Sequence, residues 1–548
     1  MKAHLLLGGA TVVLALPFAG LPLAAQPAIT LVQNNYSYIL PNLPNYGIAP
    51  GSLFVILGTG LADPASQAFP LQDPGKPLPL TLNGASVTVT VAGVPTQAAL
   101  YYATPTAIAA VLPSKTTAAA LAAIQVTYNR TTSPIYNAIL LQSAFGFDTY
   151  YSSGSGLAAV TDNGDGYLVD PSCDADRDDT RKCIRSAKPG QTVVFWGSGV
   201  GPDTNNDDRD PPVSIDNLNY INQLFIGGVP VPIAYQGRSH YQGVDQIDVT
   251  IPQNVPTGCA VSVVAVSGSG NSAVLSNTVT IPITSNGGAC SDPLQEVNSA
   301  TAAALSSHAL VKFGSLSLAT ITNTTGTGKT ASAQFDAIPG ASLFAYLDNT
   351  LPSPGSCVVY QQAPPAPTNP FQLQGLNPGT VTVTGPNGMQ ALSTIPSGPG
   401  LYTAALMSGF IPATGGEFTF NGLGGTDVQA FPATLEFPNP LIWTNPSAAA
   451  AITRAQGVTI DWTGGDADTY VQIAGSASTV GATVYFTCDA PVGAGTFTVP
   501  PSVLLALPVA GGGITVGNFT NPVSFSATGL DFGFATAYTS VFESTLYQ

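Results

Sequence analysis

The 548-residue chain is 45% hydrophobic and only 8% charged, with 58 glycines and 47 prolines. That length admits about three or four domains of ordinary size, and turn-forming residues at such density favour all-β architecture over long helices. A net charge of −16 argues against nucleic-acid binding, because the phosphates would repel the surface.

The first residues read as a secretory signal. Lys2 precedes an apolar run from Leu5 to about Leu23, and Ala24-Ala25-Gln26 follows. Residues 1–25 are expected to be a cleaved signal peptide. The competing reading is an uncleaved anchor, against which Pro17 and Pro22 interrupt the run. No cysteine follows the cleavage region, which speaks against a lipid anchor, and no later stretch is long and apolar enough to span a bilayer. The expected location is secreted, cell-surface or periplasmic.

A motif then occurs twice. Pro50-Gly51-Ser52-Leu53-Phe54-Val55-Ile56-Leu57-Gly58-Thr59-Gly60 returns as Pro189-Gly190-Gln191-Thr192-Val193-Val194-Phe195-Trp196-Gly197-Ser198-Gly199, at an offset of 139 residues (Pro50 to Pro189). Gly93-Val94-Pro95 returns as Gly228-Val229-Pro230, and Tyr102, Ile108 and Pro113 return as Tyr241, Ile247 and Pro252. Offsets that change only between strands are what loop insertions produce. Each motif reads as a Pro-Gly turn, a buried strand and a glycine pair that permits a bulge or close backbone crossing. A phosphate-binding loop would need a following helix, but Pro64 and Pro202 come next.

This pattern resembles the IPT/TIG type of Ig-like fold. The stretches Ala49 to Ala62, Gln142 to Leu157, Ala187 to Gly201 and Gly243 to Pro252 also resemble a family of uncharacterised secreted acidobacterial proteins. The likeness covers roughly residues 28 to 286, about half the chain. It implies tandem Ig-like β-sandwich domains outside the cytoplasm, at 28–145 and 146–286, and implies no activity. The acidic loops of the second domain stand out as departures from the pattern.

In those loops Asp174, Asp176 and Asp178 alternate, as do Asp203, Asn205 and Asp207. Oxygen donors at positions 1, 3 and 5 suit calcium. The glycine expected at position 6 is Asp179 or Asp208, however, and the acid expected at position 12 is Arg185 or Ser214. Solvated loops are the competing reading. No cofactor is otherwise expected.

Six cysteines in an exported chain suggest three disulfides, with 15 possible connectivities. Chain order suggests Cys173 with Cys183, Cys259 with Cys290, and, by elimination, Cys357 with Cys488. Zinc is a poor alternative, because there is no C-x-x-C and His4, His240 and His308 are scattered.

Residues 287–309 read as a polar linker with an alanine-rich piece suited to a short helix. One or two further β-sandwich modules are expected over 310–548, divided as 310–445 and 446–548 if a break falls near Asn445. Alternation at Ser315 to Thr320 and the run Val458 to Gly464 mark strands in them. Asn323 to Thr330 ends like a nucleotide loop but has asparagine where the first glycine belongs, so a hairpin is expected and no nucleotide.

Catalytic groupings are thin. There is no G-x-S-x-G elbow, and His240 sits at an expected hairpin tip. Asp461, Asp466 and Asp468 near Trp462 and Tyr470 are the best candidates for a hydrolase, which is the last of three readings. The first is a non-catalytic secreted or surface protein serving adhesion, envelope structure or protein contact. The second is a carbohydrate-binding accessory protein, with Tyr150, Tyr151, Trp443 or Tyr470 stacking on sugar rings. The expected partner is a protein or polysaccharide at the cell exterior.

Overall fold

Alternation in the sequence becomes alternation in space. In the strand Ala85–Val91 the residues Val87, Val89 and Val91 are buried, while Ser86, Thr88 and Thr90 are half-buried. A computed structural model describes residues 26–71, 73, 75–116, 121–173, 182–205, 209–212, 216–269, 272–295, 297–348, 351–363, 373–395 and 398–548. The expected signal peptide lies outside the described residues. No helix among the described residues is long and apolar enough to cross a membrane.

The first sandwich is a sheet that folds over on itself. Its order is Ala28–Asn34, Leu53–Thr59, Ala107–Val111, Val94–Ala103, Ala85–Val91, Leu121–Tyr128 and Thr131–Thr132. Val94–Ala103 belongs to both layers. Its first half pairs with Ala85–Val91 and its second with Ala107–Val111, across a register shift between Leu100 and Tyr102. An irregularity of this kind lets one strand turn a corner. Val32, Phe54, Ile56, Val87, Leu100 and Ile124 fill the space between layers.

The second sandwich repeats that pairing. Thr192–Ser198 lies beside Asp245–Thr250, as Leu53–Thr59 lies beside Ala107–Val111. Ile221–Ile226 lies beside Gly258–Ser267, as Ala85–Val91 lies beside Leu121–Tyr128. The corner strand is now split into Val229–Val231 and Ile233–Arg238, in separate sheets. Pro232 stands at the split, and a residue without an N–H cannot carry a ladder through. The N-terminal half is therefore a tandem of equivalent Ig-like sandwiches.

The remaining chain is also all-β, and its strands join across the position of the expected break. One twelve-stranded sheet runs Cys357–Gln362, Ala482–Pro491, Tyr470–Thr479, Ala510–Phe519, Phe532–Tyr547, Val311–Asn323, Gly326–Ile338, Gly398–Ala405 and Ser393–Ile395, with further strands alongside. Two cores lie on it. Leu316, Phe335, Phe420 and Phe431 form one; Trp462, Ile473, Phe486 and Ile514 form the other. The strand Phe532–Tyr547 reaches both, giving Ala535 and Ala537 to the first and Tyr547 to the second. Cys357–Gln362 crosses the other way, so the sheet continues through the expected break near Asn445.

The stretch expected as a linker is packed. Cys290, Asp292 and Leu294 are buried, and Val297 and Ala302 join a small core with Phe313 and Leu343. Its alanine-rich piece is the helix Ser299–Ser306, capped by the Asn298 side chain, which accepts from the Thr301 N–H at 2.9 Å.

Candidate functional site

Of the acidic residues considered for calcium, Asp174, Asp176, Asp178 and Asp207 lie outside the described residues. Asp203 is 2% exposed. Its carboxylate accepts from the Asn205 N–H at 2.9 Å, and the Asn205 side-chain amide donates to Asp216 at 2.7 Å. That is turn chemistry. Among the described residues no three His, Cys, Asp or Glu side chains converge as a metal site would require.

The other singled-out residues have structural partners. Trp443 is 6% exposed and donates to Asn445, and Tyr151 packs against the helix-bearing core. Tyr150 is exposed and meets Tyr151 edge-on at 5.0 Å, and Tyr470 is half-buried. Asp461 accepts from Asn445 and Thr496, and Asp466 accepts twice from Asn439. These acids stitch turns together. Asn323 and Gly326 close a hairpin whose turn is held by Asn323 Oδ1, which accepts the N–H groups of Thr325 and Gly326.

The three disulfides are Cys173–Cys183, Cys259–Cys290 and Cys357–Cys488, the pairs that chain order suggested. Cys357 and Cys488 sit directly opposite one another on paired strands.

The most specific chemistry lies where the two copies meet, and it uses the repeated motif. Thr59 of the first copy is exposed, but its counterpart Ser198 is fully buried. Ser198 Oγ accepts the Leu53 N–H at 2.7 Å and donates to the Gly243 carbonyl at 2.6 Å. Asn34 Nδ2 donates to the carbonyls of Ser198 and Ala144 at 2.9 and 3.0 Å. A Cβ on Gly199, at φ +103°, would fall 2.4 Å from the Ala144 carbonyl oxygen. The glycine pair shapes backbone, as its sequence context implied.

Beside it Arg238 and Asp245 form an ion pair, 1% and 0% exposed. Arg238 Nη2 also donates to the Gly201 carbonyl at 2.8 Å and to Ser114 Oγ of the first sandwich at 3.1 Å. Asp245 Oδ2 accepts the N–H groups of Gly199 and Val200 at 2.7 and 2.8 Å. Burial pushes the Asp245 carboxyl upward, and Arg238 with the two backbone donors pulls it down. Gly51, at φ +79°, is the seat: any Cβ there would collide with the guanidinium. The Pro-Gly turn of one copy thus receives the arginine of the next. Sequence reasoning missed this pair. A usable signal existed, since both charges flank one hairpin in a chain poor in charge and Thr106 stands where Asp245 would be in the first copy.

A second buried polar junction joins the second copy to the C-terminal half. Asp292 Oδ2 accepts the Cys259 N–H and the Ser353 hydroxyl, both at 2.8 Å. Ser353 Oγ accepts the Ala260 N–H at 2.9 Å. Asp489, next to Cys488, is fully buried. Burial pushes its carboxyl up to about 8, and the Asp292 charge adds to this; Gln472, opposite on the paired strand, pulls the other way.

No protein-family model matches the chain, and no curated protein matches it. Among solved structures it is similar to domains 4–9 of the surface layer protein SbsC, at 11% identity and a TM-score of 0.13, covering 94% of this chain and 66% of that one. It is also similar to the full ectodomain of mouse nectin-like molecule 4, at 8% identity and 0.13, covering 75% and 94%. A biofilm-associated protein, its BSP domain, matches at 10% identity and 0.12, covering 95% and 96%. At such scores these likenesses carry no argument about activity, and the chain spans 66% of the surface-layer fragment.

Proposed function

We propose that this is a secreted or cell-surface, non-catalytic β-sandwich protein with a structural or adhesive role, its N-terminal half of the IPT/TIG type. The buried Arg238–Asp245 junction carries the reading. Removing two charges from water to fix one module on its neighbour favours defined relative position. A surface protein that bears load or presents a face to a partner needs that property. Three disulfides suit an oxidising compartment.

The test is fractionation and antibody labelling of intact producing cells, with and without the gene. The expected result is labelling of unbroken cells and loss of attachment or envelope integrity in the deletion strain. Recovery of the full-length protein from the cytoplasm would overturn it. A carbohydrate-binding role is the second reading, and it rests on aromatic residues other than those expected from sequence.

A further inference from the structure

We infer that the outer face of the twelve-stranded sheet holds a binding site for a neutral polysaccharide segment. This goes beyond the structural role, which does not require it. Side-chain alternation puts Tyr538, Ser540 and Phe542 on that face, opposite Phe519, Gly517 and Thr515 of the neighbouring strand. There the sheet forms a groove of about 490 Å³, a volume in the range of small-ligand sites.

Glycine shapes it. A Cβ on Gly517 would lie 2.7 Å from the Phe519 ring, and one on Gly513 would lie 2.3 Å from the Phe542 ring. Each ring leans over a bare stretch of backbone instead of standing clear of it. Phe542 remains 36% exposed. Phe519 and Tyr538 stack at 4.6 Å with an 11° interplanar angle, forming a firm wall.

The rest of the lining decides the ligand class. Gln472, Asn323, Ser540 and Thr515 supply amides and hydroxyls, and among the described residues no charged side chain lines the groove, although the chain carries −16 overall. A charged ligand would find no counter-charge there. A purely apolar ligand would cover those polar groups without satisfying them, which costs free energy. A neutral sugar has C–H faces for the rings and hydroxyls for the amides, so it meets both requirements.

Native affinity electrophoresis of the full chain, in gels containing galactomannan, laminarin or hydroxyethylcellulose, tests this. At least one should retard the protein. Phe542→Ala and Tyr538→Ala should each weaken retardation about tenfold, the equivalent of one good contact. Phe542→Trp should retain it, and Leu546→Ala, on the same strand and face but outside the groove, should leave it unchanged. Thermal unfolding of each variant separates lost binding from lost fold. No retardation by any of the three, retardation by dextran sulfate alone, or wild-type retardation in a folded Phe542→Ala variant would overturn the proposal. Each of those results leaves the surface role intact, which the labelling experiment judges separately.

Discussion

The two halves of this chain solve one problem differently. In the N-terminal half, two sandwiches keep their own sheets and meet through buried polar contacts such as Ser198 to Leu53 and Arg238 to Ser114. In the C-terminal half, two cores share one sheet, and the strand Phe532–Tyr547 serves both. Docked modules can be uncoupled by breaking a few side-chain contacts, whereas a shared strand ties two cores into one cooperative unit.

The largest expected effect sits in the second half. Replacing Cys357 and Cys488 by alanine opens a loop with a sequence separation of 131. In the chain-entropy view this costs about 5 kcal/mol, read as a lower urea midpoint for the whole C-terminal half. Unfolding of only one of its two cores would break the contrast between the halves.

Arg238→Ala comes next. It strands the buried Asp245 carboxylate and should cost about 3–5 kcal/mol. Calorimetry should show the two N-terminal copies separating into distinct transitions while the C-terminal transition stays in place. The paired change Arg238→Met with Asp245→Leu should recover much of the loss.

Asp489→Asn sharpens the comparison through pH. Its folded value of about 8 lies above the ordinary 3.8, so the folded state holds a proton that the unfolded state releases. Stability contributed by this site is full below pH ~4 and falls as pH rises towards 8. The asparagine variant should match wild type near pH 4 and exceed it by roughly 2–5 kcal/mol at pH 8, at about 1.4 kcal/mol per pKa unit. A parallel pH profile for the two proteins would contradict this.

Ser198→Ala is the smallest change. It leaves the Leu53 N–H and the Gly243 carbonyl unpaired, at a cost of about 1–3 kcal/mol, measured by urea unfolding. Thr59→Ala, at the equivalent but exposed position, should be near neutral.

The same contrast explains what could be read from sequence. Copies are legible because strands conserve length and loops do not, so Leu53–Thr59 and Thr192–Ser198 fall at one offset and in equivalent places. Two disulfide pairs followed from nearness in chain order and the third by elimination, and the Asn323 hairpin from its turn residues. Strand sharing was not legible, because nothing in the composition of Phe532–Tyr547 says that its ends serve different cores. Trp443 attracted attention as a stacking residue because burial of an aromatic depends on what packs above it. The groove was missed for the complementary reason: Phe519, Tyr538 and Phe542 come together only through strand register, with Gly513 and Gly517 as the sole local hint.

Hydrogen exchange of the full-length protein, resolved at the Leu53 amide, addresses the docking of the two copies most directly. That N–H donates to Ser198 across the junction. It should be protected as strongly as core amides such as Ile56 in the wild type and exchange far faster in Arg238→Ala. Rapid exchange at Leu53 in the wild type, with Ile56 protected, would mean that the copies are merely tethered.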